Sequence, residues 1–328
     1  VSVTEFFFAL TPEKVMDAVE IGGRCCTGRF IVLNSYENRV YQLELSDGSF
    51  VVGKFYRPGR WTRDQILDEH EFIWDLEDAE IPMASPVEIA EDDTIGTLEG
   101  IYFSMFPRIG GRAPDEMDDD QLRRVGALLG RIHQVGRTDP AEHRLELTPR
   151  TYGHDDLALL LDGDHILPAF RDAYRDVANR VIDLIEPTFE GFLPTYQRIH
   201  GDAHLGNLLR SPAGFVFLDF DDMVTGPPVQ DLWMLWGGRD DWALRRRDIL
   251  LDAYGTMTDF DRASLRLVEP LRALRYIHYT AWLANRWEDP AFKIGFPNFG
   301  TDGYWAGAIG DLNEQLRIIR EEEAARPS

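Results

Sequence analysis

The apolar positions of this chain change their period twice. Thr11-Pro12 read as an N-cap and first helical residue, and they predict a helix ending near Gly22-Gly23. Strand-like runs follow at Phe30 to Leu33, Val40 to Leu45 and Phe50 to Phe55, the last two joined by Ser46-Asp47-Gly48-Ser49. Asp-Gly signals a hairpin, because the tight turn needs positive φ. Thr62-Arg63-Asp64-Gln65 has the form of a capping box. It predicts a helix to about Asp78, with Ile66, Leu67, Ile73, Trp74 and Leu76 as its apolar positions. A further strand is predicted from Ile101 to Phe106, stopped by Pro107 with Gly110-Gly111 close behind. From there the helical period dominates. Leu122, Val125, Leu128, Leu129 and Ile132 mark one face, and Phe170, Ala173, Val177, Val181 and Ile185 another. The acidic run Asp115 to Asp120 precedes a helix start, where negative charge suits the dipole. Between Ile199 and Asp219 the pattern becomes a loop and a short hairpin turning at Ser211-Pro212-Ala213-Gly214, and helices resume near Gln230. The order predicts an α+β chain of two lobes. Residues 1–106 carry a small antiparallel sheet, residues 107–328 are mostly helical, and the hinge lies near Met105 to Gly111.

Length and composition fit that division. The 328 residues suit two lobes around a cleft, and 44% apolar residues with 8 Trp, 11 Tyr and 19 Phe supply a core and argue against disorder. No run approaches the roughly 18 apolar residues of a membrane span. The start, Val1-Ser2-Val3-Thr4-Glu5, has neither a basic stretch nor a long apolar core, so no signal peptide is expected. The two cysteines, Cys25 and Cys26, are adjacent; they fit no zinc spacing and no structural disulfide, and read as reduced thiols of a cytoplasmic protein. The net charge of −23 disfavours nucleic acid and anionic membranes and favours cationic partners.

The chemistry concentrates in His200-Gly201-Asp202-Ala203-His204-Leu205-Gly206-Asn207, followed by Phe217-Leu218-Asp219-Phe220-Asp221. Phosphoryl transfer needs a carboxylate to orient a hydroxyl and take its proton, and hard oxygen ligands for Mg²⁺. Asp202 suits the first role. Asn207, five residues on, and Asp219, on the far arm of the hairpin, suit the second, with Asp219 also counted as catalytic. A cation for the nucleotide phosphates is found in Lys54, a lone charge in an apolar strand that needs a partner. Glu69 on the next helix is the expected partner, ahead of Glu71. Ser35, in the loop Asn34 to Arg39, is placed to bond a phosphate, and Met105 at the hinge to contact the nucleotide. His200 reads as a packed, hydrogen-bonded histidine, and Asp231 as a support for the catalytic loop.

HGDxHxxN plus LDFD resembles the aminoglycoside phosphotransferase and choline kinase superfamily. LNSYENRVYQ (33–42), KFYRPGRWTRDQILDEHEF (54–72), GPPVQDLWML (226–235) and EPLRALRYIHYTAWLANRWEDPAF (269–292) resemble its bacterial stress response kinase A branch, across nearly the whole chain. The resemblance implies a two-lobed protein-kinase-like fold and an ATP- and Mg²⁺-dependent Ser/Thr protein kinase. It implies Asp202 as proton acceptor, Asn207 and Asp219 as metal ligands, Ser35 and Lys54 on ATP, and leaves Asp221 open. Gly53 departs from the family, which has an apolar strand residue there. Eleven residues between Asp219 and Asp231 leave no room for a long activation loop. The expected partner is a protein bearing Ser or Thr, basic in character, with autophosphorylation as a further possibility. A small-molecule kinase acting on an amino alcohol, sugar or aminoglycoside is the competing reading. A non-catalytic pseudokinase ranks last, since Lys54, Asp202, Asn207 and Asp219 are all present.

Overall fold

The computed structural model describes residues 3–33, 35–212 and 214–325. Val1, Ser2, Asn34 of the phosphate-loop candidate and Ala213 of the predicted turn lie outside the described residues. Two helices open the chain, α1 (Val3–Phe8) and α2 (Pro12–Ile21), the second capped by Thr11 Oγ1. The sheet consists of β1 (Cys26–Leu33), β2 (Arg39–Leu45), β3 (Phe50–Phe55) and, after α3 (Arg63–Asp78), β4 (Gly96–Leu98) and β5 (Ile101–Pro107). All pairs are antiparallel, in the order β1-β2-β3-β5-β4. The capping box is realised: Thr62 and Gln65 exchange side-chain and backbone bonds at the start of α3. Strand β1 begins earlier than the apolar run suggests, at Cys26, and its register shifts between Cys26 and Phe30.

Register decides what reaches the cleft. Lys54 lies opposite Val40 on β2 and Ser104 on β5. Alternation along the strands puts Tyr41, Leu43, Val51, Phe55, Phe103 and Met105 on the other face, packed against Phe7, Val15 and Val19 of α1 and α2. Gly53 keeps regular pairing with Tyr41 and Met105.

The rest is mostly helical: α4 (Asp119–Gly136), α5 (Asp155–Asp162), α6 (Pro168–Glu190), α7 (Val229–Trp236), α8 (Asp241–Tyr254), α9 (Val268–Asn285), α10 (Pro290–Gly295) and α11 (Asp302–Ala324). Two small ribbons interrupt it. β6 (Gln197–Ile199) pairs with β9 (Val224–Gly226), and β7 (Leu208–Ser211) forms the predicted hairpin with β8 (Gly214–Phe217). Asp118 caps α4 through a capping box with Gln121, which accounts for the acidic run. Phe72, Ile73 and Leu76 of α3 join Leu129, Ile132, Phe220 and Met223 in one interior, so the helix bearing Glu69 is rooted in the helical core. No helix among the described residues is long and apolar enough to cross a membrane.

Candidate active site

The loop after β6 is built around a glycine and a buried acid. Gly201 has φ +84°, and a Cβ there would sit 2.1 Å from the carbonyl oxygen of Asp222, so no other residue fits. Asp231, fully buried in the first turn of α7, accepts from the amides of His200 and Gly201 at 2.8 Å each. His133 Nε2 meets the same carboxylate at 3.0 Å, and His133 Nδ1 meets the Tyr254 hydroxyl at 3.0 Å. His200 accepts the Asp202 amide on Nδ1 at 3.3 Å and so presents Nε2–H to the Leu218 carbonyl at 2.9 Å. One histidine thereby ties the loop of Asp202 to the strand end of Asp219.

Three groups surround the Asp202 carboxylate. Arg275 Nη1 lies 3.1 Å from Oδ1, His204 Nε2 lies 3.2 Å from Oδ2, and Asn207 Nδ2 lies 3.4 Å from Oδ2. Burial opposes the charge, but the His204 bond and Arg275 outweigh it and hold the carboxyl well below its usual range. Asn207 Nδ2 also donates to the Asp202 carbonyl at 3.1 Å, which leaves the amide oxygen for a cation. Asp219 adopts left-handed φ 60°, ψ 67°, a conformation Asp tolerates and one that recurs at functional sites. Its carboxylate is half exposed, with Oδ1 3.1 Å from Lys54 Nζ.

Lys54 is buried among three acids: Asp221 at 2.9 Å, Glu69 at 3.0 Å and Asp219 at 3.1 Å. Burial disfavours the ammonium, yet Asp221, Glu69 and Asp219 more than compensate and raise its pKa well above the ordinary value. The second oxygen of Glu69 meets Arg144 Nη2 at 3.1 Å, and Arg144 Nη1 donates to the Asp221 carbonyl at 2.6 Å. Arg60 pairs with both Asp221 and Asp222. Asp221, whose role the sequence left open, is therefore the shared anion of Lys54 and Arg60. Burial opposes its charge, and Arg60, Lys54 and Arg144 keep it ionised.

Ser35, Asp202, Asn207, Asp219, Arg275 and Trp282 line one cavity of about 420 Å³. Ser35 Oγ accepts the Asn38 amide at 3.2 Å, which shapes the loop above the cavity. Glu37 in that loop accepts from Trp282 Nε1 at 2.7 Å and Arg286 Nε at 2.5 Å, so the loop is fastened to α9. Lys54 and Glu69 stand behind Asp219. Met105 lies in β5 with its side chain buried on the sheet face opposite Lys54, and Ser104 and Phe106 occupy Lys54's face.

Asn207 and Asp219 offer two hard oxygens in one cavity, and no cluster of three or more metal-binding side chains occurs among the described residues. Two protein ligands completed by phosphate and water suit Mg²⁺, so the residues fit that ion. Arg60, Arg144, Glu37 and Arg275 were not anticipated. They reach the site across 73 to 249 residues of sequence separation, as in Arg275 to Asp202 and Arg286 to Glu37. The one local signal was an Arg-rich, lysine-poor chain whose buried acids needed guanidinium partners.

A fold with a small sheet above a helical body, and a carboxylate, two oxygen donors and a buried Lys–Glu pair at their junction, defines a kinase-like phosphotransferase. The chain belongs to the phosphotransferase enzyme family, whose sequence model matches residues 30–268. It is 40% identical over 317 residues to stress response kinase A of Escherichia coli K12, covering 96% of this chain and 95% of that one. It is 36% identical over 315 residues to serine/threonine protein kinase RdoA of Salmonella typhimurium, with the same coverage. Among solved structures, amicoumacin kinase hAmiN in complex with AMP-PNP, Ca²⁺ and Ami superposes with a TM-score of 0.68 at 19% identity, covering 89% of each chain. A microcompartment-associated aminopropanol kinase gives 0.67 at 18%, covering 90% of this chain and 93% of that one. At these identities the likeness is one of fold.

Beside Lys54, His70 is buried with Nδ1 2.7 Å from the Thr94 hydroxyl and Nε2 3.2 Å from that of Tyr56. Burial, with Lys54 and Arg144 adding to it, pushes its pKa down from 6.5 to about 3. Below 6.5 the unfolded chain takes up this proton, while the folded chain does so only near 3, so stability falls as pH falls through that window. The expected loss is about 1.4 kcal/mol per pH unit. Unfolding titrations between pH 7 and 4 should show a steeper slope for the wild type than for His70→Gln, and equal slopes would exclude His70 as the source.

Proposed function

We propose that this chain transfers the γ-phosphoryl group of ATP, with Mg²⁺, to a Ser or Thr hydroxyl of a protein, in the cytoplasm and as part of a bacterial stress response. The names of its relatives support the acceptor class. The observation that carries the chemistry is the convergence of Asp202, Asn207 and Asp219 on one cavity, with Lys54 anchored behind Asp219. Asp202 orients the acceptor hydroxyl and receives its proton as the new O–P bond forms and the bond to the β-phosphate oxygen breaks, releasing ADP. Asn207 and Asp219 would hold Mg²⁺, which neutralises charge on the phosphates. Lys54, fixed by Glu69 and Asp221, reaches toward those phosphates, and Ser35 stands above them. Two free thiols, Cys25 and Cys26, suit a reducing compartment.

The test is to incubate the protein with Mg²⁺ and γ-labelled ATP, alone and with a basic or an acidic protein, and to identify the labelled amino acid. Phosphoserine or phosphothreonine is expected, on the added protein, most strongly the basic one, or on the kinase itself. ATP binding with no protein label, and label on a small alcohol from a metabolite panel, would overturn the protein-kinase reading in favour of a small-molecule kinase. The cavity of about 420 Å³ is large enough for such an acceptor.

A further inference from the structure

The acceptor end of the cavity carries a cation where amine-bearing alcohols would need an anion. Arg275 projects from α9 to 3.1 Å from Asp202 Oδ1, beside the atom that receives the acceptor's proton. All four carboxylates that line the cavity are already paired: Glu37 with Arg286, Asp202 with Arg275, Asp219 with Lys54 and Asp222 with Arg60. His278, also in the wall, is taken up by Asp156 at 2.7 Å. The aromatic side chains of the wall pack on neighbours, Tyr36 against Phe296 at 4.9 Å. Tyr152 stacks on His278 at 4.1 Å, Tyr279 stacks on Trp282 at 5.7 Å, and Arg286 lies 5.6 Å from the Trp282 ring centre. An ammonium entering here finds no unpaired acid in the wall, and it meets a guanidinium at the base.

We infer that Arg275 is an acceptor-specificity residue: it excludes alcohols that carry an ammonium group next to the reacting hydroxyl and admits neutral ones, such as a Ser or Thr side chain within a peptide. The peptide half of this statement rests on the protein-kinase reading; the charge half does not. Like charges brought together in a partly buried site are strongly disfavoured, and a guanidinium cannot escape by losing its proton. Amines farther along a peptide lie outside the cavity and are not selected against by Arg275.

One peptide tests it in two forms, with serine at its N-terminus either acetylated or bearing a free amine, against the wild type, Arg275→Gln and Arg275→Lys. The wild type should prefer the acetylated form by about tenfold or more in kcat/KM, mainly through KM. Arg275→Gln should bring the ratio near one, and Arg275→Lys should restore it, which a purely structural role for the side chain would not do. Thermal melts establish that each variant is folded. A ratio near one in the wild type, or the same ratio in wild type and Arg275→Gln, overturns the inference. If neither peptide is labelled, the protein-kinase reading fails and the same comparison is made with ethylene glycol and ethanolamine. There the wild type should reject ethanolamine and Arg275→Gln should accept it; no gain of ethanolamine phosphorylation in Arg275→Gln overturns the charge rule as well.

Discussion

Asp202→Asn is expected to lower the rate of phosphoryl transfer by about 10²- to 10⁴-fold while leaving nucleotide binding intact. The substitution keeps the side chain's size but removes the carboxylate proposed to orient the acceptor hydroxyl and take its proton. Lys54 and Asp219 do not depend on the Asp202 charge: Lys54 is held by Glu69, Asp219 and Asp221, and Asp219 is linked to the loop through His200 and Leu218, while Asn207 keeps its bond to the Asp202 carbonyl. The loss should therefore fall on kcat, with the affinity for ATP and Mg²⁺ near that of the wild type, as measured by nucleotide titration beside steady-state kinetics. A wild-type rate in Asp202→Asn would refute the assignment of the base. The low pKa direction of Asp202 is compatible with its role. In a loose transition state little proton transfer is needed before the phosphoryl group has largely left ADP, so an ionised, well-aimed carboxylate serves better than a strongly basic one.

What could be read from the sequence was local or periodic. Asp202 and Asn207 are five residues apart in one loop, and Asp219 returns to them through a hairpin with turn residues, so three site members follow from short-range order. Lys54 and Glu69 were found by a different route, since a lone Lys in an apolar strand must be paired and the next helix offered Glu69 near its buried edge, ahead of Glu71. The pair is observed at 3.0 Å. Three kinds of feature were not legible. Short elements such as α1 and β4 are too brief to show a period. Strand parity at Met105 is set by register against β3, and in the run Ile101 to Phe106 a lone Ser104 marks the alternation only weakly. The guanidiniums of Arg60, Arg144 and Arg275 are placed by tertiary packing, and nothing in a chain with many arginines separates these from exposed ones such as Arg29. The resemblance supplied residues of the catalytic motif, but it said nothing of how the buried acids around Lys54 are balanced.

Asp231→Ala is expected to be the most destabilising single substitution at the site, at about 3–5 kcal/mol. The carboxylate is fully buried and serves the His200 amide, the Gly201 amide and His133 together. Alanine would leave two backbone donors and an imidazole nitrogen without partners in a place water does not reach. Each orphaned group costs about 1–3 kcal/mol. Gly201 cannot relax toward a different backbone, because its left-handed φ and the Asp222 carbonyl oxygen confine it. Asp231→Asn should recover only part of the loss, since its amide nitrogen would face a donor where one carboxylate oxygen now accepts. Denaturant unfolding monitored by tryptophan fluorescence gives the stability difference, and a cost below about 1 kcal/mol for Asp231→Ala would show that the loop does not depend on this anchor. Activity measured where the variant is still folded should fall as well, because the two amides held by Asp231 immediately precede Asp202. Since Asp231 is fully buried and does not line the cavity, that loss would be one of positioning, and it should accompany the stability loss in Asp231→Ala.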